Sequence, residues 1–542
     1  MQRRVSRATL LKGLAGLAVG ALSGKLYFDW QRSASQVSCR MLGPSMSRGH
    51  ALRDGKASKM PDAPTENTAI VIVGGGIAGL SAGWWLKKRG FSDFVLLELE
   101  QQVGGNSSAG KNRFSAYPWG AHYVPVANKE SEYVLALFEE LGVIEGYDAA
   151  GNPIYNDLYL CHEPQERLFK DGSFQEGLVP HRGLQPEEKE ELDRFFTLIQ
   201  KLRSATGSDG RPAFAIPIEL SSKDEDLIAL DRISMAQWLN QNGFRTEPLL
   251  WYVNYCCRDD YGSAIEDVSA WAGIHYFAGR RGVAANAEQN SVVTWPEGNG
   301  FLVDKLKQQL DGHIKSGALV TAIAARDRRY ITTYVESSTG RCLAAKSACV
   351  IFSAPRFLAT HIVDGYEMTG HHELVYAPWL VANISLNRIP DARGAPLSWD
   401  NVDFRSRSLG YVVATHQTIS ARQGPTVITY YYPLSGENPA AARKRLLSTS
   451  ADEWSKTIVD DLKRMHPGIA EEILSIDLWP WGHGMIRPSV GFIWGDTRRR
   501  MKADYGNVFF AHSDMSGISN FEEAQYQGVE AAKRALAALG AA

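Results

Sequence analysis

The 542-residue chain carries almost no net charge, with 58 Lys and Arg against 60 Asp and Glu, a formal balance of −2 at pH 7. It also lacks any basic tract with interleaved aromatics, so nothing points to a nucleic-acid partner. Cysteine is scarce: Cys39 and Cys161 are solitary, Cys342 and Cys349 are isolated from the rest, and no spacing suits a metal. Cys256 and Cys257 are adjacent, and bridging neighbours strains the backbone, so buried thiols are expected there. A disulfide elsewhere stays open if the protein is exported. Long apolar runs are missing too. The segment Leu10 to Leu22, interrupted by Lys12, is too short and too rich in Gly and Ala for a membrane-spanning helix.

What that segment does have is a basic start, Arg3, Arg4 and Arg7, with no acid before residue 29. This layout predicts a signal peptide over residues 1–30, in contact with the export machinery and the membrane, and a periplasmic or envelope location; the alternative is cytoplasmic. Arg3-Arg4 and the stretch Ser6 to Lys12 suggest the twin-arginine route, which carries folded proteins. Residues 31–67 are polar, with scattered Gly, Pro and Ser and no sustained period, and are read as a linker.

The chain is organised around Thr68 to Gly105. Ala69 to Val73 is a short apolar run of the kind that forms a strand buried on both faces. Gly74, Gly76 and Gly79 follow as GxGxxG: the first permits a sharp turn, the second admits a pyrophosphate to the backbone, the third lets the next helix sit close to the strand. That helix offers free N–H groups to phosphate. A second apolar run, Phe94 to Leu97, ends at Glu98, where a carboxylate accepts hydrogen bonds from ribose hydroxyls and repels a 2′-phosphate. The order of strand, glycines, helix, strand and acid predicts a dinucleotide site for FAD or NAD rather than NADP. No metal is expected.

A nucleotide strand ending in Glu98, followed by a loop to Gly104-Gly105, resembles the FAD entry of the flavin amine oxidase and phytoene desaturase superfamily. Three further stretches extend the resemblance. Gly120-Ala121-His122-Tyr123 is similar to the segment that returns toward the flavin ring. Gly317 to Ile323 is similar to the strand that meets the adenine, with Val320 as the contact. Asn507 to Asp514 with Phe521 to Ala532 is similar to the closing FAD motif. The departures are Asn106 where an Arg is usual, His512 and Glu523 in place of glycines, and Asp514 one position late.

The resemblance implies an α/β protein, a discontinuous Rossmann-like FAD-binding domain of the GR2 type interleaved with an α+β substrate domain. The FAD parts fall at 68–127, 291–358 and 491–542, and the substrate parts at 128–290, largely helical, and 359–490. Gln185 to Glu188 opens one helix, and Ser234 with Gln237 and Ser450 with Glu453 form capping boxes for two more. It implies that FAD is held by Gly74, Gly76, Gly79, Glu98, Gly104, Gly105, Asn106, Val320, Asp514 and Ala524, and without a covalent bond, since no cysteine lies in the 480s or 490s. His122, His483 and Arg487 are the candidate catalytic residues, Arg487 as a holder of a substrate carboxylate. The run Trp251 to Cys257 is read as core packing, with a pocket lining as the other reading.

The implied activity is that of an FAD-dependent oxidoreductase acting on a small molecule, an amine or amino acid, by hydride transfer to flavin N5. The stretch Pro378 to Ile384 contains no Lys, although amine oxidases commonly hold one near the flavin, and the aromatic pair expected around a substrate nitrogen is incomplete at Asn520 and Phe521. A desaturase or isomerase of an apolar substrate, and a flavin-binding envelope protein without turnover, remain the alternatives.

Overall fold

The structure is a computed structural model that describes residues 37–55, 61, 66–418 and 424–541, with the backbone alone at His371. The leader expected at residues 1–30 lies outside the described residues. Among the described residues, no helix is long and apolar enough to cross a membrane.

The apolar runs Ile70–Val73 and Phe94–Leu97 are buried at every residue. Strands with no solvent face need cover on both sides, and they find it as inner members of a parallel sheet. Its order is Ile314–Lys315, Phe94–Leu97, Ile70–Val73, Cys349–Phe352 and Val508–Phe510. All four pairings are parallel. Helix Ile77–Lys88 covers one face and packs along the closing helix Phe521–Ala538. Three separated parts of the chain therefore supply one nucleotide-binding unit. A second sheet of Ala318–Arg326, Arg329–Glu336, Cys342–Ser347 and Glu66–Asn67 lies on it.

The other half is built on an eight-stranded mixed sheet whose centre is the wholly buried Tyr376–Leu386, flanked by Ile473–Ile486 and Thr426–Pro433. Helices from residues 186 to 278 pack against it around Phe195, Trp271, Tyr261 and Val381. Helix starts follow local chemistry. Ser234 and Ser450 accept from the N–H groups of Gln237 and Glu453 as capping boxes, and the Gln185 N–H donates to Glu188 at 2.8 Å ahead of Pro186–Ser204.

The stretch 31–67 departs from the linker expectation. Ser38–Met41 is a strand paired in parallel with Ile473–Ile486, and Met46–Arg53 is a helix. The strand's partner lies 437 residues away and the helix is anchored to Glu100, Leu99 and Gly317, so local periodicity carried no trace of the docking.

Candidate functional site

Between the parallel sheet and the large sheet lie two adjoining cavities. The larger, about 360 Å³, is lined by Gly74, Gly76, Glu98, Gly104, Gly105, Asn106, Val320, His483, Asp514 and Ala524, among others. All but one of the residues assigned to a dinucleotide are thus brought to one wall. The exception, Gly79, sits beneath it: a Cβ there would lie 1.9 Å from the Gly74 carbonyl oxygen, so only glycine lets the helix close on the strand.

The donor set fits a dinucleotide. Gly76 is the helix N-cap and supplies no side-chain cap, which leaves first-turn N–H groups facing the cavity. Gly74 and Gly104 hold φ of 102° and 130°, and a Cβ on Gly105 would stand 3.3 Å from Gly76 Cα. Side chains at these positions would fill the cradle. Glu98 is fixed by the N–H groups of Gly75 at 2.6 Å and Glu100 at 2.8 Å, while burial pushes its carboxyl up against those bonds. Asp514 is fully buried; its Oδ2 accepts from the Arg356 N–H at 2.8 Å and the Tyr376 hydroxyl at 2.5 Å. Its Oδ1 lies 3.1 Å from His512 Nδ1, the atom that accepts from the Asp514 N–H, and has no other partner among the described residues. A buried acceptor left open toward a cavity suits a hydroxyl of a bound molecule.

The smaller cavity, about 160 Å³, meets the larger at Asn106, Ala121, Trp481, Gly484, Ser519, Asn520 and Phe521. Its walls are aromatic: Tyr123, Tyr276, Trp379, Tyr431 and Trp481. Asn106, in the position where an Arg was expected, donates from Nδ2 to the Gly484 carbonyl and so ties the glycine loop to the long strand at this junction.

Its charged members are three carboxylates and one guanidinium. Arg280 donates to Asp260 Oδ1 at 2.7 Å and to the Tyr123 hydroxyl at 3.1 Å. Asp259 precedes Asp260 on the last turn of helix Glu247–Tyr261, and burial, with the like charge of Asp260 second, pushes its carboxyl up to about 7. Glu522 opens the closing helix, is 3% exposed, and is pushed up to about 7 by burial. Its own backbone N–H is the hydrogen-bond donor that meets it.

Of the catalytic candidates, His122 lines this cavity and stacks on Tyr431 with centroids 4.6 Å apart. Burial lowers its imidazole to about 4. His483 lines the larger cavity, stacked on Phe357 at 4.9 Å, and burial likewise lowers it to about 4. Both rings are neutral at pH 7. Arg487 lines neither cavity: its guanidinium donates to Ser263 Oγ and pairs with Asp267 at 2.5 Å, which corrects the expectation that it holds a substrate carboxylate. It lies one residue past strand Ile473–Ile486, whose Met485 lines the smaller cavity and Ile486 the larger, and its guanidinium is drawn instead to the segment holding Ser263 and Asp267. Trp251 to Cys257 contributes no lining residue to either cavity, and Val253, Tyr255, Cys256 and Cys257 are core.

Asp259, Asp260, Arg280 and Glu522 escaped the sequence reading. The only signal was the doublet Asp259-Asp260 directly after an apolar helix face, a pattern shared by many solvated helix ends.

A model of the NAD(P)-binding Rossmann-like domain matches residues 72–141. The oxidoreductase PigB of a Serratia species is 23% identical over 296 residues, which are 51% of this chain and 42% of that protein, so the chain spans less than half of that relative. Among solved structures, putrescine oxidase bound to putrescine superposes with a TM-score of 0.64 at 16% identity, covering 88% of this chain and 100% of that one. A fatty acid isomerase from P. acnes superposes with a TM-score of 0.60 at 16% identity, covering 87% and 99%. The chain has a Rossmann-like dinucleotide fold. Beyond that domain, the chain shares the overall fold of putrescine oxidase.

Proposed function

We propose that this protein is an FAD-dependent oxidoreductase that oxidises an organic amine. The observation that carries the reading is the excess of acid in the smaller cavity: Asp259, Asp260 and Glu522 face a single guanidinium, Arg280, that already pairs with Asp260. Such a cavity attracts a cation and repels a free carboxylate, which favours an amine over an amino acid.

FAD would be held non-covalently, its pyrophosphate at Gly74, Gly76 and Gly105, its adenosine ribose at Glu98 and its ribityl side at Asp514. When bound, the flavin supplies the acceptor for a hydride equivalent. The chain's own residues do the rest. Asn106, Trp481, Gly484 and Phe521 join the two cavities, so a molecule in the smaller one abuts the cofactor. The aromatic walls of Tyr431, Trp379 and Trp481 exclude water and favour a neutral amine. Asp259 and Glu522, with carboxyls near 7, accept the ammonium proton at neutral pH. Neutral His122 and His483 serve as packed walls.

The experiment is an anaerobic titration of the purified holoprotein with mono- and diamines, amino acids and apolar lipid-like compounds, followed by flavin absorbance. Bleaching by an amine and reoxidation by air supports an amine oxidase. Bleaching by amino acids alone, activity with lipid-like compounds alone, or no bleaching by any compound would sink the amine reading. We further propose, from the basic leader, that the folded protein is exported to the periplasm; cell fractionation that finds it only in the cytoplasm refutes this.

A further inference from the structure

The segment Ser38–Arg53 lies across one end of the larger cavity. Gly49 and Leu52 of its helix are lining residues, beside Leu97, Glu98 and Val320. Leu52 is buried in a cluster with Val73, Leu97 and Val320, the strands that flank the expected adenosine site.

Its anchors converge on the loop after Glu98. Ser45 donates from its backbone N–H to Glu100 Oε1 at 2.8 Å and from its hydroxyl to Oε2 at 2.7 Å. The Glu100 N–H in turn donates to Glu98 Oε1 at 2.8 Å, so two hydrogen-bonded steps separate the segment from the ribose carboxylate. Arg48 donates to the carbonyls of Leu99 at 2.7 Å and Gly317 at 2.9 Å, two segments themselves joined by the Gly317 N–H on the Glu100 carbonyl at 2.8 Å. The other end is tied to the substrate sheet: Arg40 forms a two-pronged bond to Asp477 at 2.7 Å and 2.7 Å, and the Leu42 N–H donates to the Leu478 carbonyl at 2.8 Å.

We propose that Ser38–Arg53 is a clasp that completes the adenosine end of the cofactor cavity, so that its docking and flavin binding strengthen one another. The inference rests on the flavin reading. Two groups that share a wall and a hydrogen-bond chain are coupled, and the coupling is reciprocal: a bound cofactor must hold the clasp down as strongly as the clasp holds the cofactor in. The anchors are charge-assisted bonds to half-buried groups, the class whose loss changes an equilibrium by about tenfold or more.

The test uses the full-length holoprotein and FAD itself. Flavin release after dilution is followed by fluorescence in the wild type and in the double variant Ser45→Ala, Arg48→Ala. Independently, trypsin cleavage at Arg48 and Arg53 of the wild type is timed by mass spectrometry with and without FAD. The clasp predicts release faster by about tenfold in the variant and cleavage slower by about tenfold with FAD. Equal release in a folded variant, or cleavage indifferent to FAD, overturns it; if the variant does not fold, the cleavage rates decide. A wild type that binds no FAD at all would instead overturn the flavin reading.

Discussion

Arg280 donates to Asp260 Oδ1 at 2.7 Å and so neutralises one of the three carboxylates in the smaller cavity, while Asp259 and Glu522 feel its charge only at longer range and form no ion pair among the described residues. A positively charged guest would supply what these two lack, and would have to displace their protons to do so.

Binding of a cationic ligand should therefore tighten as pH rises toward about 7, where Asp259 and Glu522 ionise, and level off above it. The slope approaches tenfold per pH unit for each proton displaced. Isothermal titration with an unreactive amine between pH 5.5 and 8.5 measures it; a flat profile would count against the acid pair as the receptor.

The same burial has a stability signature. Glu522 holds its proton to about 7 in the folded state and releases it near 4.5 when unfolded, so its contribution to stability is full below about 4.5 and is lost as pH climbs to 7. Glu522→Gln should leave Tm nearly unchanged at pH 4.5 and raise stability by about 1–3 kcal/mol at pH 8, while weakening cation binding. Thermal melts at the two pH values separate these effects.

Gly79→Ala should abolish flavin retention and cost about 3 kcal/mol or more, because the new Cβ would meet the Gly74 carbonyl at 1.9 Å and neither backbone can withdraw. Flavin content and a denaturant melt of the purified variant check both halves.

Arg487→Ala should lower stability by about 2 kcal/mol, since Asp267 is half exposed and Arg487 is not, and should leave the KM ratio between amines and amino acids unchanged. A selective loss of carboxylate-bearing substrates would restore the role that its sequence context suggested.

His122→Asn should retain any activity inflection near pH 7, because the wild-type ring is already neutral there, its imidazole lowered to about 4 by burial. The expected loss is in KM, from the ring stacked on Tyr431. Disappearance of the inflection in the variant's pH profile would make His122 the titrating group.

The nucleotide unit was legible because its constraints are local. Gly79 answers to the carbonyl of Gly74 in the same turn, Gly76 caps the helix that follows directly, and Ile70–Val73 and Phe94–Leu97 announce two-sided burial by composition. The substrate cavity was not. Asp259, Arg280, Tyr431 and Glu522 come from four separate parts of the chain, and each reads alone as an ordinary helix end or strand residue. Arg487 shows the converse error: the resemblance implied a role at the flavin for this segment, but the Arg487 side chain pairs with Asp267. Ser38–Met41 was invisible for the same reason, since its pairing with Ser475 to Leu478 leaves no period in its own four residues.

That pairing also sets an order in time. Arg40 and Asp477 stand 437 residues apart, so during synthesis at ~5–20 residues per second the first described strand waits roughly 20–90 s for its partner to leave the ribosome. Ser45 and Arg48 meet Glu100 and Leu99 only 55 and 51 residues on, so the end beside Glu98 can be tied long before the end at Asp477. The cavity is completed later still, since Val508–Phe510, Asp514 and Ala524 follow Asp477 in the chain, so the far anchor of the segment comes within reach before the site it borders is whole.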